Sequence, residues 1–454
     1  MKNRLALVAS LGLSVVVGVV VSLRADEAAP PKNGGRSQAA EAVRVAINDL
    51  NVLGTDFWVY NDLGAAKAKA AKEDKPIFVT FRCVPCKACA GFDAEVAKGS
   101  DAVQKVARER FVSLRQVEMK GVDLTQFQFD YDLNWAGMFI NADGTVYARY
   151  GTQSAEGPDA YNSTASLLKT MERVLELHKN YEKVKASLAA KRGAEKPWRT
   201  GLEMPGMENK EKLAGVTARN NCIHCHMIND AQHRQWQAEG TMSADRMNRY
   251  PLPENVGLHI VRDDGRKVEK AEGAAAKAGI LAGDEITHAA GQPVTSIADL
   301  QWVLHNLPAG DSTVDLTVSR GGQSLTKPVA LTGDWRKTDW KWRGSRWSVR
   351  PEPGFWAPVL NDKEIVALGD KVPAGTKPLR VQFMNQNKPQ GKATAGAGVK
   401  LGDVIVAVDG KPLTGTPQDF QMMIRFERKV GDKLALKLLR NGKEVEVSVP
   451  LLGE

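Results

Sequence analysis

The chain holds 454 residues, 43% of them hydrophobic and 25% charged. That balance excludes a largely disordered chain, and the length exceeds what one core supports, so roughly three or four domains are expected. The formal charge is +9, or +6 once Lys2, Arg4 and Arg24 of the first 25 residues are set aside; no Lys/Arg block marks a nucleic-acid groove, and a solvated basic surface suffices.

Lys2 and Arg4 precede an apolar run over residues 5–23, closed by Arg24-Ala25-Asp26. Residues 1–25 therefore read as an export signal or, given the length of the run, as a membrane anchor. Export places the protein in the periplasm or cell envelope, where disulfides persist. Residues 26–51, opening DEAAPPKNGG, read as a tether. Next, DLGAAKAKAAKEDK reads as a helix, PIFVTF (76–81) as a buried strand and RCVPCKACAGFDAEV as a turn opening a helix. RFVSLRQVEM gives a second strand, and WAGMFINADGTVYARYG a hairpin with Asp143-Gly144 at its turn. Leu167, Met171, Val174, Leu175, Tyr181, Val184 and Leu188 keep helical spacing. They predict one helix of about 45 Å, continuing the domain into a spacer. Residues 179–207 read as spacer and linker.

Five cysteines form two clusters, Cys83/Cys86/Cys89 and Cys222/Cys225. Cys83-Val84-Pro85-Cys86 stands where a strand gives way to a helix. There, unpaired N–H groups and the helix dipole favour a thiolate, Arg82 and Lys87 add positive charge, and a second thiol one turn on resolves a mixed disulfide. Cys83, Cys86 and Cys89 along one face also suit a soft metal, copper or zinc. KPIFVTFRCVPCK, the Ala/Lys helix before it and FINADGTVYARYG after it resemble the thioredoxin fold over residues 52–178. The resemblance implies that Cys83 is the nucleophile and Cys86 the resolving thiol. Where that family carries a cis-proline, this chain has Trp135-Ala136-Gly137.

NNCIHCHMIND sets Cys222 and Cys225 three apart with His226 directly after. Three chemistries share this spacing: a c-type haem, a disulfide, and half of a zinc site completed by His224 or His233. The helix-like ENKEKLAGVTARN and the motif itself resemble the first helix and attachment motif of c-type cytochromes, over residues 208–250. That resemblance implies haem c joined to Cys222 and Cys225, His226 on the iron, and Met242 or Met247 as candidates for the opposite axial position, with His233 competing.

From about residue 252 the chain turns β-rich and echoes itself. AGILAGDEITHAAGQPVTSIADLQWVL is followed by AGVKLGDVIVAVDGKPLTGTPQDFQMMI, and each ends in a strand pair about a Gly turn. The Trp-rich stretch between them, from residue 333 to 343 and beyond, reads as anchors for a connector, with ligand stacking as the other reading. The two copies resemble bacterial PDZ domains over residues 252–332 and 344–452. The resemblance implies capture of a partner's C-terminal or extended strand, at Val256, Gly257 and Leu258 in the first copy and beside KPLRVQF in the second. No Gly-x-Ser-Gly-Gly block of a serine protease accompanies them. In this order the parts resemble the bacterial thioredoxin/PDZ-domain (seleno)proteins. The expected fold is multidomain α+β: a thioredoxin-like α/β domain, a small helical haem-binding segment and two PDZ-like domains. The expected function is exported thiol–disulfide and electron-transfer chemistry, with a redox partner and a docked exported protein. The other reading is a non-catalytic envelope scaffold that holds haem or a soft metal.

Overall fold

The computed structural model describes residues 38–52, 56–84 and 90–453. The N-terminal apolar run lies outside the described residues, as do Cys86 and Cys89. No helix among the described residues is long and apolar enough to cross a membrane.

The first domain is built on strands β1 (Val59–Tyr60), β2 (Ile77–Arg82), β3 (Val112–Gln116), β4 (Trp135–Ile140) and β5 (Val146–Tyr150), in the order β1-β3-β2-β4-β5. β1, β3 and β2 run parallel; β4 and β5 return antiparallel. All six residues of β2 are buried, because both faces of the sheet are covered. The helices are α1 (Gln38–Ile47), α2 (Leu63–Glu73), α3 (Ala90–Ala94), α4 (Asp101–Arg110), α5 (Thr164–Lys179) and α6 (Tyr181–Leu188). One core joins Phe78, Phe111 and Phe139 to Val103 of α4 and to Leu167, Met171 and Val174 of α5. Two expectations change here. The tether ends inside the domain, with Ile47 buried and Asp49 accepting from Arg115 at 2.7 and 3.0 Å. The long helix is interrupted at Asn180, which caps α5 and starts α6.

The opposite face of the sheet is covered by the residues read as linker and haem unit, which include α7 (Lys210–Ala214) and α8 (Cys225–Ala238). Met204, Met207, Leu213, Ile223 and Ile228 share one core with Val79, Phe81, Leu114 and Met138. Backbone bonds join the layer to the domain: Leu124 N–H donates to Arg199 O at 2.6 Å and Met119 N–H to Ile223 O at 2.9 Å. Apolar residues at irregular spacing form this layer, so no periodicity announces it.

The next module has β6 (Leu258–Ile260), β7 (Val268–Ala271), α9 (Gly273–Lys277), β8 (Glu285–Ala289), β9 (Gln292–Pro293), α10 (Ile297–Asn306), β10 (Ser312–Arg320) and β11 (Gln323–Leu331). The last has β12 (Phe355–Trp356), α11 (Asp362–Leu368), β13 (Leu379–Arg380), β14 (Phe383–Met384), α12 (Pro389–Gly396), β15 (Val404–Val408), β16 (Lys411–Pro412), α13 (Pro417–Glu427), β17 (Lys433–Arg440) and β18 (Lys443–Pro450). The echo is exact at the side-chain level in one respect. Arg320 clasps Asp284 and donates to Gly279 O, and Arg440 clasps Asp403 and donates to Gly398 O.

The two modules sit differently. Every residue of α10 from Ile297 to Leu304 is buried, because the helix lies against the first domain. Asp299 accepts from Arg149 N–H at 3.0 Å and pairs with Lys191 at 2.8 Å, both side chains 1% exposed. Trp302 Nε1 donates to Ala190 O, while the Arg149 guanidinium lies 3.6 Å over its ring. The Trp-rich connector is anchored as well. Arg343 binds Asp130 at 2.6 Å, and Ser345 N–H and Oγ donate to Asp132.

Candidate functional site

Cys83 directly follows β2, whose last residue, Arg82, pairs with Trp135 of β4. Arg82 itself does not address the thiol. It is 5% exposed, ion-paired with Asp93 at 2.5 Å, and donates to Val84 O. Asp93 also takes Arg115, which holds Asp49, so two cations and two carboxylates close a buried network beneath the site. The expected activating charge is thus neutralised locally. The Arg115 charge and hydrogen bonds outweigh the burial that would raise Asp93, and hold its carboxyl low.

The group that does reach Cys83 comes from 141 residues downstream: His224 Nδ1 lies 2.6 Å from Cys83 Sγ. Its backbone N–H donates to Met227 Sδ at 3.4 Å, as His224 caps the start of α8. Burial, and to a lesser degree the charge of His226, hold the His224 imidazole below its ordinary pKa. The His226 ring stacks on that of His224 with centroids 5.8 Å apart. Sequence reading weighed His224 only as a zinc ligand. Its position between the two cysteines of a Cys-x-x-Cys was the one available signal.

Cys222 is a free thiol. Cys222 is 5% exposed, donates to Ala218 O at 3.0 Å, and belongs to the apolar core. Burial, then the nearby Glu118 charge, raises its pKa, which keeps it protonated. Cys225 opens α8 half-buried, and His226, with a side chain 47% exposed, has Nε2 4.0 Å from Asp230 Oδ2. Met247 is buried, whereas Met242 folds back after α8 to donate to Trp236 O, about 15 Å along the helix from His226. His233 is fully buried between Ser345 O and Ser348 Oγ. These residues, as placed, do not fit a covalent porphyrin. A ring joined to both sulfurs needs Cys222 outside the core that encloses it. Among the described residues no three His, Cys, Asp or Glu side chains come together to hold a metal ion; Cys86 and Cys89 lie outside those residues.

The expected peptide-binding residues stand on the first module. Val256 and Leu258 are buried, and Gly257, at φ +82, donates to Glu254 O. Gly257 O accepts from Glu272 N–H, and a Cβ on Gly257 would lie 1.9 Å from Glu272 O, so only glycine fits. In the last module the equivalent glycine is Gly354, at φ +69, whose O accepts from Asn385 N–H. The strand that follows it, β12, is therefore the counterpart of β6. The strand expected there, KPLRVQF, instead supplies β13 and leads into β14, with Leu379 pairing with Ile405.

The family described as "Thioredoxin-like" matches residues 58–142, and the family described as "PDZ domain" matches residues 256–331 and 376–451. The chain joins a thioredoxin-like domain to two PDZ domains. It is 42% identical over 72 residues to the periplasmic pH-dependent serine endoprotease DegQ of Escherichia coli (strain K12), covering 16% of this chain and 15% of that protein. It is likewise 42% identical over 73 residues to the serine protease Do-like HtrA of Lactobacillus helveticus, covering 16% of each. The chain thus spans about a sixth of the length of these curated relatives. Among solved structures, the HtrA-type protease AlgW with tripeptide aligns at 15% identity and TM-score 0.20, over 37% of this chain and 58% of that one. AlgW with decapeptide aligns at 18% and 0.19, over 30% and 41%.

Proposed function

We propose that the chain is an exported thiol–disulfide redox protein whose reactive group is Cys83, served by the imidazole of His224, with the second PDZ domain docking its partner. The 2.6 Å approach of Cys83 Sγ to His224 Nδ1 carries this reading. A neutral imidazole at that distance takes the thiol proton and leaves a thiolate, the form that attacks sulfur. The Cys83 thiolate attacks one sulfur of a partner disulfide. The partner S–S bond breaks, a mixed disulfide forms, and the leaving thiolate takes the proton from His224. A second thiolate, assigned to Cys86 by resemblance to the thioredoxin fold, then attacks Cys83 Sγ. The partner sulfur held in the mixed disulfide leaves as a thiolate and takes up the proton that the Cys86 thiol gave up, and two electrons have passed from the Cys83/Cys86 pair to the partner.

Export rests on the charged start and apolar run of residues 1–25, and on kinship of the PDZ stretch with a protein named as periplasmic. Partner docking by strand addition falls to the second PDZ domain, because the α10 helix of the first is enclosed by the thioredoxin-like domain. The test is insulin reduction by the mature chain with dithiothreitol as donor. Activity is expected, with loss in Cys83→Ser. Equal turnover by that variant, or none by the parent, favours a docking platform instead. Protein matured in a host that attaches c-type haem is expected to stay colourless after acid–acetone extraction.

A further inference from the structure

A cavity of about 450 Å³, with no cysteine in its lining, lies where the thioredoxin-like domain, α8 and the first PDZ domain meet. That volume is in the range of small-molecule sites. Its wall carries four cations, Lys196, Arg246, Arg249 and Arg336, against a single carboxylate, Asp245. Among the described residues none of the four has a carboxylate partner within salt-bridge distance, and Arg336 donates to Leu307 O and His305 O. Arg249 is 9% exposed; its Nη1 donates to Asn229 and its Nε to Arg246 O, but its Nη2 has no partner. A second buried donor on the wall, Trp198 Nε1, is also without one. Both are donors only, so what the site lacks is an acceptor. Burial holds Lys196, Arg249 and Arg336 below their ordinary pKa values, a cost that a bound anion offsets. Flat apolar surface flanks the charges: Arg246 and Arg249 lie 4.5 and 5.0 Å over Trp236, and Trp302 lines the PDZ side.

We infer that this interdomain cavity binds a small organic anion, a carboxylate or phosphate carried on a planar apolar body. The cations and the two unpartnered donors take the oxyanion, and the indoles take the body. Because the walls come from two domains, the ligand also fastens the first PDZ domain to the thioredoxin-like domain.

Calorimetric titration of the mature chain with phenyl phosphate, benzoate, inorganic phosphate and benzyl alcohol tests this. One site per chain is expected for phenyl phosphate or benzoate, about tenfold weaker binding of inorganic phosphate, and none of the neutral alcohol. Lys196→Gln and Arg246→Gln are expected to weaken the aromatic anion about tenfold each while leaving the melting temperature unchanged. These two replace a test at Arg249, whose bond to Asn229 serves the fold. Benzyl alcohol binding as tightly as phenyl phosphate, inorganic phosphate binding equally well, unaltered affinity in both variants, or no anionic probe binding at millimolar concentration would each overturn the proposal.

Discussion

The two PDZ domains share a fold, a Gly-Asp/Arg clasp and a helix whose N-cap hydroxyl, Ser296 or Thr416, is followed three residues on by an equivalent aspartate, yet that aspartate has different surroundings in the two. Asp299 of α10 is 1% exposed and tied to Lys191 and the Arg149 backbone. Asp419 of α13 is 40% exposed and meets Lys341, itself 43% exposed. One copy packs its helix against the thioredoxin-like body, while the helix of the other is half-buried against the Trp-rich connector, with Arg425 bonded to Val349 O and Glu352 and Phe426 against Trp340. Such a split leaves the sequence pattern intact in both copies while changing what surrounds each helix.

The largest expected effect comes from cutting the buried pair. Asp299→Ala leaves Lys191 buried without its partner and is expected to cost about 3–5 kcal/mol, whereas Asp419→Ala loses only a cap and a surface pair, about 1 kcal/mol. Urea unfolding of the two variants checks the contrast, and equal costs would erase it.

A smaller effect is expected from acid. Burial raises the Asp264 pKa, but the bond from Lys169 and the charge of Arg173 outweigh it and hold the carboxyl at about 2. A depressed carboxyl contributes its stability above the unfolded pKa of about 4 and loses it as pH falls toward 2. Lys169 and Arg173 belong to α5 and Asp264 to the first PDZ domain, so this junction is expected to lose about 1–2 kcal/mol over that window. Asp264→Asn should remove that part of the acid sensitivity in a pH-dependent melt; an unaltered acid limb would show that the junction does not depend on the pair. Smallest in energy, hydrogen exchange should be slower for α10 amides than for α13 amides, since opening α10 means parting two domains. Matching rates would mean the first PDZ domain detaches freely.

Much of the fold was legible in the sequence because its strands carry short-range marks. PIFVTF became β2, displaced by one residue, and Asp143-Gly144 turns the hairpin with Gly144 at φ +93. The PDZ echo survived because each copy keeps its Gly turns and its amphipathic helix. Three features left no such mark. The layer over the sheet is made of Met204, Met207, Leu213 and Ile223, whose spacing follows neither helix nor strand. Strand β12 has two residues and hides in a Trp-rich run that reads as connector. The Cys83–His224 contact spans 141 residues, and only the folding of the Cys-x-x-Cys-His loop onto the domain creates it. The motif suggested haem because its residue types are right for haem; the burial of Cys222, which a covalent porphyrin does not fit, belongs to tertiary packing alone.

The measurement closest to the central claim is the rate at which Cys83 is alkylated by iodoacetamide at neutral pH, followed by peptide mass spectrometry in the parent and in His224→Gln. The expected result is a Cys83-specific slowing of about tenfold or more in the variant, with Cys222 slow in both. An unchanged Cys83 rate in a folded His224→Gln protein would contradict the pairing and, with it, the redox reading.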